Sequence, residues 1–198
     1  MYPNTRIDKI SLINFKNHLN TNLKDLSSFV VLNGNNGSGK TNILEAISLF
    51  SPGRGIKNSR FAELPNKDKG QKNFEIKINV KYDTGEVELF RSFSSEEKNK
   101  NYISVDNEKI NNFQLLEFIN ILWITPIMEK VLIQSNSEKR NFFDRLIFNI
   151  NKGHLKNYTK LQKLLSERLA LLKEKKYDTD WLSIVEKNIA NLSVRLLI

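Results

Sequence analysis

Eight consecutive residues carry the densest chemistry in the sequence. Gly34-Asn35-Asn36-Gly37-Ser38-Gly39-Lys40-Thr41 fits the pattern G-x-x-x-x-G-K-[ST] in full. A chance match in a chain of this size is on the order of one in a hundred. A loop of this kind wraps its backbone N–H groups around phosphate oxygens. Gly34, Gly37 and Gly39 permit the positive φ angles and the close approach that this needs. The helix that follows aims the positive end of its dipole at the same anion, and Asn42 is counted with the loop among the phosphate-binding residues. Lys40 places a point charge near the β- and γ-phosphates, and the Thr41 hydroxyl is suited to hold Mg²⁺. The bland alternative is a glycine-rich turn with a stray lysine.

The loop grips a nucleotide but does not by itself define a reaction. Phosphoryl transfer also needs a second metal-positioning carboxylate, usually at the end of a strand, and a group that orients the nucleophile. No apolar run ending in Asp follows the loop. Val105-Asp106 has a weak run before it, and Ile121-Leu122-Trp123-Ile124 leads into Thr125-Pro126. Leu165-Ser166-Glu167-Arg168 shares two letters with an LSGGQ signature but sits inside a helical pattern.

The elements that must position the loop are legible as patterns. Residues 6–14 alternate loosely and predict a strand. Phe29-Val30-Val31-Leu32 is a short apolar run rich in β-formers and predicts a buried strand before the loop. From Thr41 the spacing turns helical, with Ile43, Leu44, Ile47 and Phe50 on one face, and Ser51-Pro52-Gly53 closes the run. Residues 53–73 predict a long basic loop. Phe74, Ile76, Ile78, Val80 and Tyr82 then alternate with polar residues. Asp83-Thr84-Gly85 reads as a turn, and Val87, Leu89 and Arg91 predict the return strand of an antiparallel hairpin. Tyr102 to Val105 predicts another short strand, 113–119 a helix, and Ile121 to Ile124 a further buried strand. Ser137 is expected to cap an amphipathic helix carrying Phe142, Phe143, Leu146, Ile147 and Ile150. Leucines at steps of three and four over 154–176, then apolar positions over 180–198, predict two helices folded back on each other.

Composition excludes several classes. The chain of 198 residues has no cysteine and two histidines, His18 and His154. Disulfide frameworks, thiolate zinc sites, iron–sulfur clusters and thiol nucleophiles are therefore absent, and a histidine-based metal site or triad is disfavoured. No apolar stretch approaches bilayer length, so the expectation is a soluble, cytoplasmic protein with no membrane partner. The net charge is +9, from 31 basic and 22 acidic residues, with 23 Lys and 8 Arg among the basic ones. That balance is compatible with nucleic acid but is also what lysine-rich compositional drift produces. Arg54, Lys57 and Arg60 are candidate contacts to DNA phosphates, weighed against a merely solvated basic loop. Lys152, Lys156, Lys160 and Lys163 form a basic helical stripe of the kind that more often faces water.

The ordered motifs resemble the RecF family of ABC/SMC-type ATPases. Asn33 through Ile47 is similar to that family's nucleotide loop and first helix, and Ile13-Asn14-Phe15-Lys16-Asn17-His18 to its opening segment. Ser51-Pro52-Gly53-Arg54-Gly55 resembles the turn after the first helix. Trp123 to Glu129 and Lys139 to Leu146 resemble the family's LTP…RRxFLDR block, and Tyr158 through Leu172 its helical arm. His18 stands where the family more usually has Tyr, and Lys139-Arg140 stands for an arginine pair.

The resemblance implies an α/β fold: an ABC-type P-loop ATPase lobe with an antiparallel β-subdomain over residues 1–136, and a helical arm, part of lobe II, over 137–198. It implies ATP and Mg²⁺ as ligands, with Lys16, Asn17 and His18 as further nucleotide contacts. It also implies duplex DNA with a single-stranded gap as partner, an ATP-closed homodimer, and RecO and RecR as co-workers in loading recombinase. The family's signature segment and acidic metal strand would lie beyond residue 198, so a C-terminally truncated chain is expected. Alternatives are another SMC-like P-loop ATPase, a small P-loop kinase, or a nucleotide-binding interaction module that never hydrolyses.

Overall fold

A computed structural model describes residues 5–97, 99–126, 128, 136–173 and 178–196. The chain divides into two compact units, residues 1–123 and 124–198.

The first unit is built on one antiparallel sheet. Strands β1 (Arg6–Phe15), β2 (His18–Leu23), β3 (Asn73–Tyr82), β4 (Gly85–Ser94), β5 (Lys100–Val105) and β6 (Glu108–Lys109) are ordered β2-β1-β3-β4-β5-β6. The period-two pattern of β3 becomes burial directly: Phe74, Ile76, Ile78 and Val80 are fully buried. Each meets an apolar or aromatic neighbour in register, Ile76 opposite Leu12 and Phe74 opposite Phe93. Such cross-strand pairs stabilise a sheet and pin its register. Asp106 and Asn107 both take positive φ in the tight turn between β5 and β6, a conformation that Asp and Asn tolerate.

Helix α1 (Lys40–Ser48) packs on this core through Ile43 and Ala46, and the residues just after it, Leu49 and Phe50, are also buried. The buried stripe is therefore rotated from the predicted one. Leu44, expected on the inner face, is 48% exposed, because the helix settles on the small Ala46 and on Leu49 instead.

Two predicted strands are absent. Residues 29–32 and 121–124 form no ladder among the described residues. Phe29 and Ile124 are each 80% exposed, Val31 72% and Leu122 56%. Their composition signals a demand for burial. A strand, however, also needs a neighbour to receive its backbone hydrogen bonds, and the six described strands all pair with one another. The predicted helix at 113–119 is a single turn, α2 (Asn112–Leu115).

Arg91, on the inner face of β4, is 1% exposed. Its guanidinium donates to Asn112 Oδ1 at 2.7 Å and lies over the Phe61 ring, 5.4 Å from the centroid. Nε has no hydrogen-bond partner among the described residues. Burial pushes its pKa down to about 10, since a desolvated cation without a carboxylate favours the neutral form.

The second unit is helical: α3 (Asn136–Ile150), α4 (Lys152–Lys173) and α5 (Thr179–Arg195). Ser137 falls inside the first turn of α3 rather than at its cap, because the helix already begins at Asn136. Asp178 caps α5, accepting from the N–H groups of Asp180 and Trp181. Helices α4 and α5 fold back on each other, joined by Arg168–Glu186 at 2.8 Å and by Trp181 Nε1 donating to Glu167 at 3.1 Å. No described helix is long and apolar enough to cross a membrane.

Replacing a buried, carboxylate-free cation by an apolar side chain of similar volume removes its desolvation cost. Arg91→Met is therefore expected to raise unfolding stability by about 1–2 kcal/mol, seen as a higher urea midpoint at unchanged m-value. A lower midpoint would show that stacking on Phe61 outweighs the burial cost.

Candidate nucleotide-binding site

The phosphate loop occupies residues 34–41, between the unpaired 29–32 segment and α1. Gly34, Gly37 and Gly39 have φ of 149°, 82° and 98°. Gly39 is the helix N-cap in a left-handed conformation, and no side chain caps the first turn. The leading N–H groups of α1 are thus left for an external acceptor, and the first turn holds no acidic residue that would repel an anion.

Gly39 is also wedged. A Cβ there would lie 2.5 Å from His18 Nε2 and 2.7 Å from Asn17 Oδ1. The β1–β2 hairpin turn, Lys16-Asn17, presses on the loop from behind. His18 is buried. Its Nε2 lies 3.2 Å from the Gly39 carbonyl, and Nδ1 is 2.8 Å from Thr21 Oγ1. A carbonyl only accepts, so Nε2 carries a proton and donates to Gly39. Asn17 Nδ2 donates to the Gly37 carbonyl at 3.1 Å.

Lys40 reaches back over the loop, donating to the carbonyls of Gly34 and Asn35, both at 2.7 Å. An ammonium has three donors, so one remains for a phosphate oxygen. Thr41 is exposed in the first helical turn. Positive-φ glycines, an uncapped helix and a lysine across the mouth suit a nucleoside triphosphate. Among the described residues no cluster of three His, Asp or Glu could hold a metal.

A polar cleft of about 500 Å³ adjoins the loop, lined by Lys16, Asn17, Asn42, Glu63, Lys67 and Asp68. The segment that walls it is tied to the hairpin turn. Lys16 N–H donates to the Leu64 carbonyl and Asn66 N–H to the Asn14 carbonyl, each at 2.8 Å.

The structure thus gathers Lys16, Asn17, His18 and residues 34–42 around one loop. The three basic loop residues do not act alike. Arg54 and Arg60 are exposed. Lys57 is half-exposed but turned inward, its ammonium 3.1 Å from Glu45 Oε2 and 3.0 Å from Asn42 Oδ1. Glu45 is fully buried on α1 and was missed by sequence reasoning, as were Ser59 and Glu63. The available signal for Glu45 was a lone acid adjoining Ala46 inside an otherwise apolar helix.

The comparisons with known proteins follow the same outline. Residues 9–195 match the family AAA_23, described as an AAA domain. The DNA replication and repair protein RecF of Rickettsia prowazekii (strain Madrid E) is 34% identical over 190 residues, 96% of this chain and 52% of that protein. RecF of Rickettsia bellii (strain OSU 85-389) is 34% identical over 184 residues, 91% of this chain and 49% of that one. A solved structure of the recombination mediator protein RecF with ATP, in the RecFOR pathway, superposes with a TM-score of 0.87 at 26% identity. It covers 100% of this chain and 53% of that one. The chain spans about half the length of the curated relatives it matches.

Gly39→Ala is expected to cost about 2 kcal/mol or more, combining left-handed strain with a buried clash. It should also weaken nucleotide binding, because the hairpin turn must back away from the loop. Urea unfolding and an ATP titration check both effects, and an unchanged urea midpoint would contradict the wedge. By this match the chain belongs to the AAA domain family and is a homologue of the N-terminal half of RecF.

Proposed function

We propose that this chain is the phosphate-gripping part of a RecF-like, ATP-dependent DNA-binding protein of cytoplasmic DNA replication and recombinational repair. The observation that carries the reading is the braced phosphate loop: three positive-φ glycines, an uncapped α1, and Lys40 across the mouth. The backbone of Gly34 to Lys40, with Asn42 beside it, holds the triphosphate of ATP. Thr41 holds Mg²⁺, which when bound neutralises phosphate charge. Lys16, Asn17 and the polar cleft receive the nucleoside end, while His18 braces Gly39 from behind.

The unpaired apolar segments 29–32 and 121–124 support a larger lobe. Their burial is supplied by strands from the remaining length that the relatives possess. That remainder brings the signature segment and the acidic metal strand, so ATP hydrolysis belongs to the whole polypeptide. Two such lobes close as a homodimer on ATP and hold duplex DNA beside a single-stranded gap, with RecO and RecR as partners. Arg54 and Arg60 face the DNA backbone, and Lys57 contributes only when released from Glu45.

Fluorescence anisotropy with gapped duplex DNA, using the whole polypeptide, tests this. ATP with Mg²⁺ is expected to tighten binding at least tenfold, and Lys40→Ala to abolish that gain. Equal affinities with and without ATP, in both proteins, would overturn the gated reading. Arg54→Ala and Arg60→Ala should each weaken binding without regard to base sequence and lower the salt slope by about one. An unchanged slope would remove them from the DNA face.

A further inference from the structure

Glu45 is a fully buried carboxylate, and the groups facing it come from two segments that flank the phosphate loop. Ser59 Oγ donates to Oε1 at 2.8 Å, and Lys16 Nζ lies 3.8 Å from the same oxygen. Lys57 Nζ is 3.1 Å from Oε2, an ion pair that is not aligned as a hydrogen bond. The aligned bond of Lys57 goes instead to Asn42 Oδ1 at 3.0 Å.

That bond sets a direction. An ammonium only donates, so Asn42 must turn its oxygen to Lys57 and its Nδ2 the other way. Nδ2 then donates to Asn17 Oδ1 at 2.9 Å. Asn17 is left with its own Nδ2, which donates to the Gly37 carbonyl at 3.1 Å. Two side-chain amides, each free in isolation to flip, are polarised by one cation, and the chain ends on the peptide plane between Gly37 and Ser38. Lys57 has a 42% exposed side chain, so without a counter-charge beneath it water would compete for its ammonium.

We infer that Glu45 is a positioning residue of the nucleotide site: its charge holds Lys57, and through Asn42 and Asn17 it orients the Gly37 carbonyl of the phosphate loop. The inference rests on the phosphate-loop reading above. Glu45 touches no ligand itself. It acts by keeping the loop in its phosphate-binding shape before the anion arrives, which lowers the ordering cost of binding.

Calorimetric titration of the whole chain with ATP and Mg²⁺ is the test. Glu45→Gln keeps the size and an acceptor for Ser59 but removes the charge. It is expected to weaken ATP binding about tenfold. Lys57→Met should do the same, and the double variant should be no weaker than either single one, because both break one relay. Lys57→Arg, which keeps charge and donors, should bind within about twofold of the parent. A folded Glu45→Gln protein that binds within twofold overturns the inference, and so do single losses that add in full. If Glu45→Gln fails to fold, Lys57→Met decides alone, and unchanged affinity there overturns it. Lys40→Ala separates the two readings. If Lys40→Ala loses ATP while Glu45→Gln retains it, only the relay is wrong. If the parent binds no ATP, or Lys40→Ala binds it equally well, the phosphate-loop reading fails.

Discussion

There is no room for a side chain at Gly39, and much of the site follows from that. The residue must take φ of 98° to turn the chain into α1, and its Cα faces His18 and Asn17 at distances that a methyl group would violate. A hairpin turn is therefore seated directly behind the phosphate loop. Because β1 of that hairpin is also hydrogen-bonded to β3, the loop inherits the rigidity of the sheet. An anion site made of backbone N–H groups needs such backing. The dipoles are individually weak, and they act together only if the loop does not have to be reorganised as the anion binds.

The same sheet steadies the other wall of the site. Phe61 stacks with Phe74 and Phe93, and the buried Arg91 lies over its ring. Phe61 opens the segment that continues through Glu63, Leu64, Pro65 and Asn66 beside the polar cleft. Phe15 pairs with Pro65 through an isolated bridge, so the β1–β2 hairpin touches both the loop, through Asn17 and His18, and the cleft wall. Aromatic packing on one side and backbone hydrogen bonds on the other hold this segment, which lies outside any regular strand or long helix. Its order comes from tertiary contacts, and for that reason its residues carried no periodic signal.

How much was legible in the residues depends on which physical term decided each element. The β3–β4 hairpin was readable because alternation, turn chemistry and burial agree there. The phosphate loop was readable because its glycines are required by backbone geometry rather than by partners. Phe29 to Leu32 and Ile121 to Ile124 form no ladder among the described residues, since an apolar run states a demand for burial but not the strand that satisfies it. Glu45 was missed for a related reason. A single acid in a short helix looks like a solvated position until Lys16, Lys57 and Ser59, distant from it in sequence, are brought against it. Leu44 shows the converse: a leucine at plausible spacing that the packing of Ala46 and Leu49 turns outward.

A net +9 suggests a surface ready for nucleic acid, yet several cations nearest the loop are already engaged. Lys40 is committed to two loop carbonyls. Lys16 and Lys57 share one buried carboxylate, which leaves the three lysines and Glu45 with a local excess of two positive charges beside uncapped helix N–H groups. That excess sits where a triphosphate would bring several negative charges into partly desolvated surroundings, and the two kinds of charge relieve each other's desolvation cost. Basic residues drawn inward in this way are engaged by internal partners, whereas Arg54 and Arg60 are left outward. Net charge therefore overstates the free cationic surface of this chain, because part of it balances a buried carboxylate and loop carbonyls.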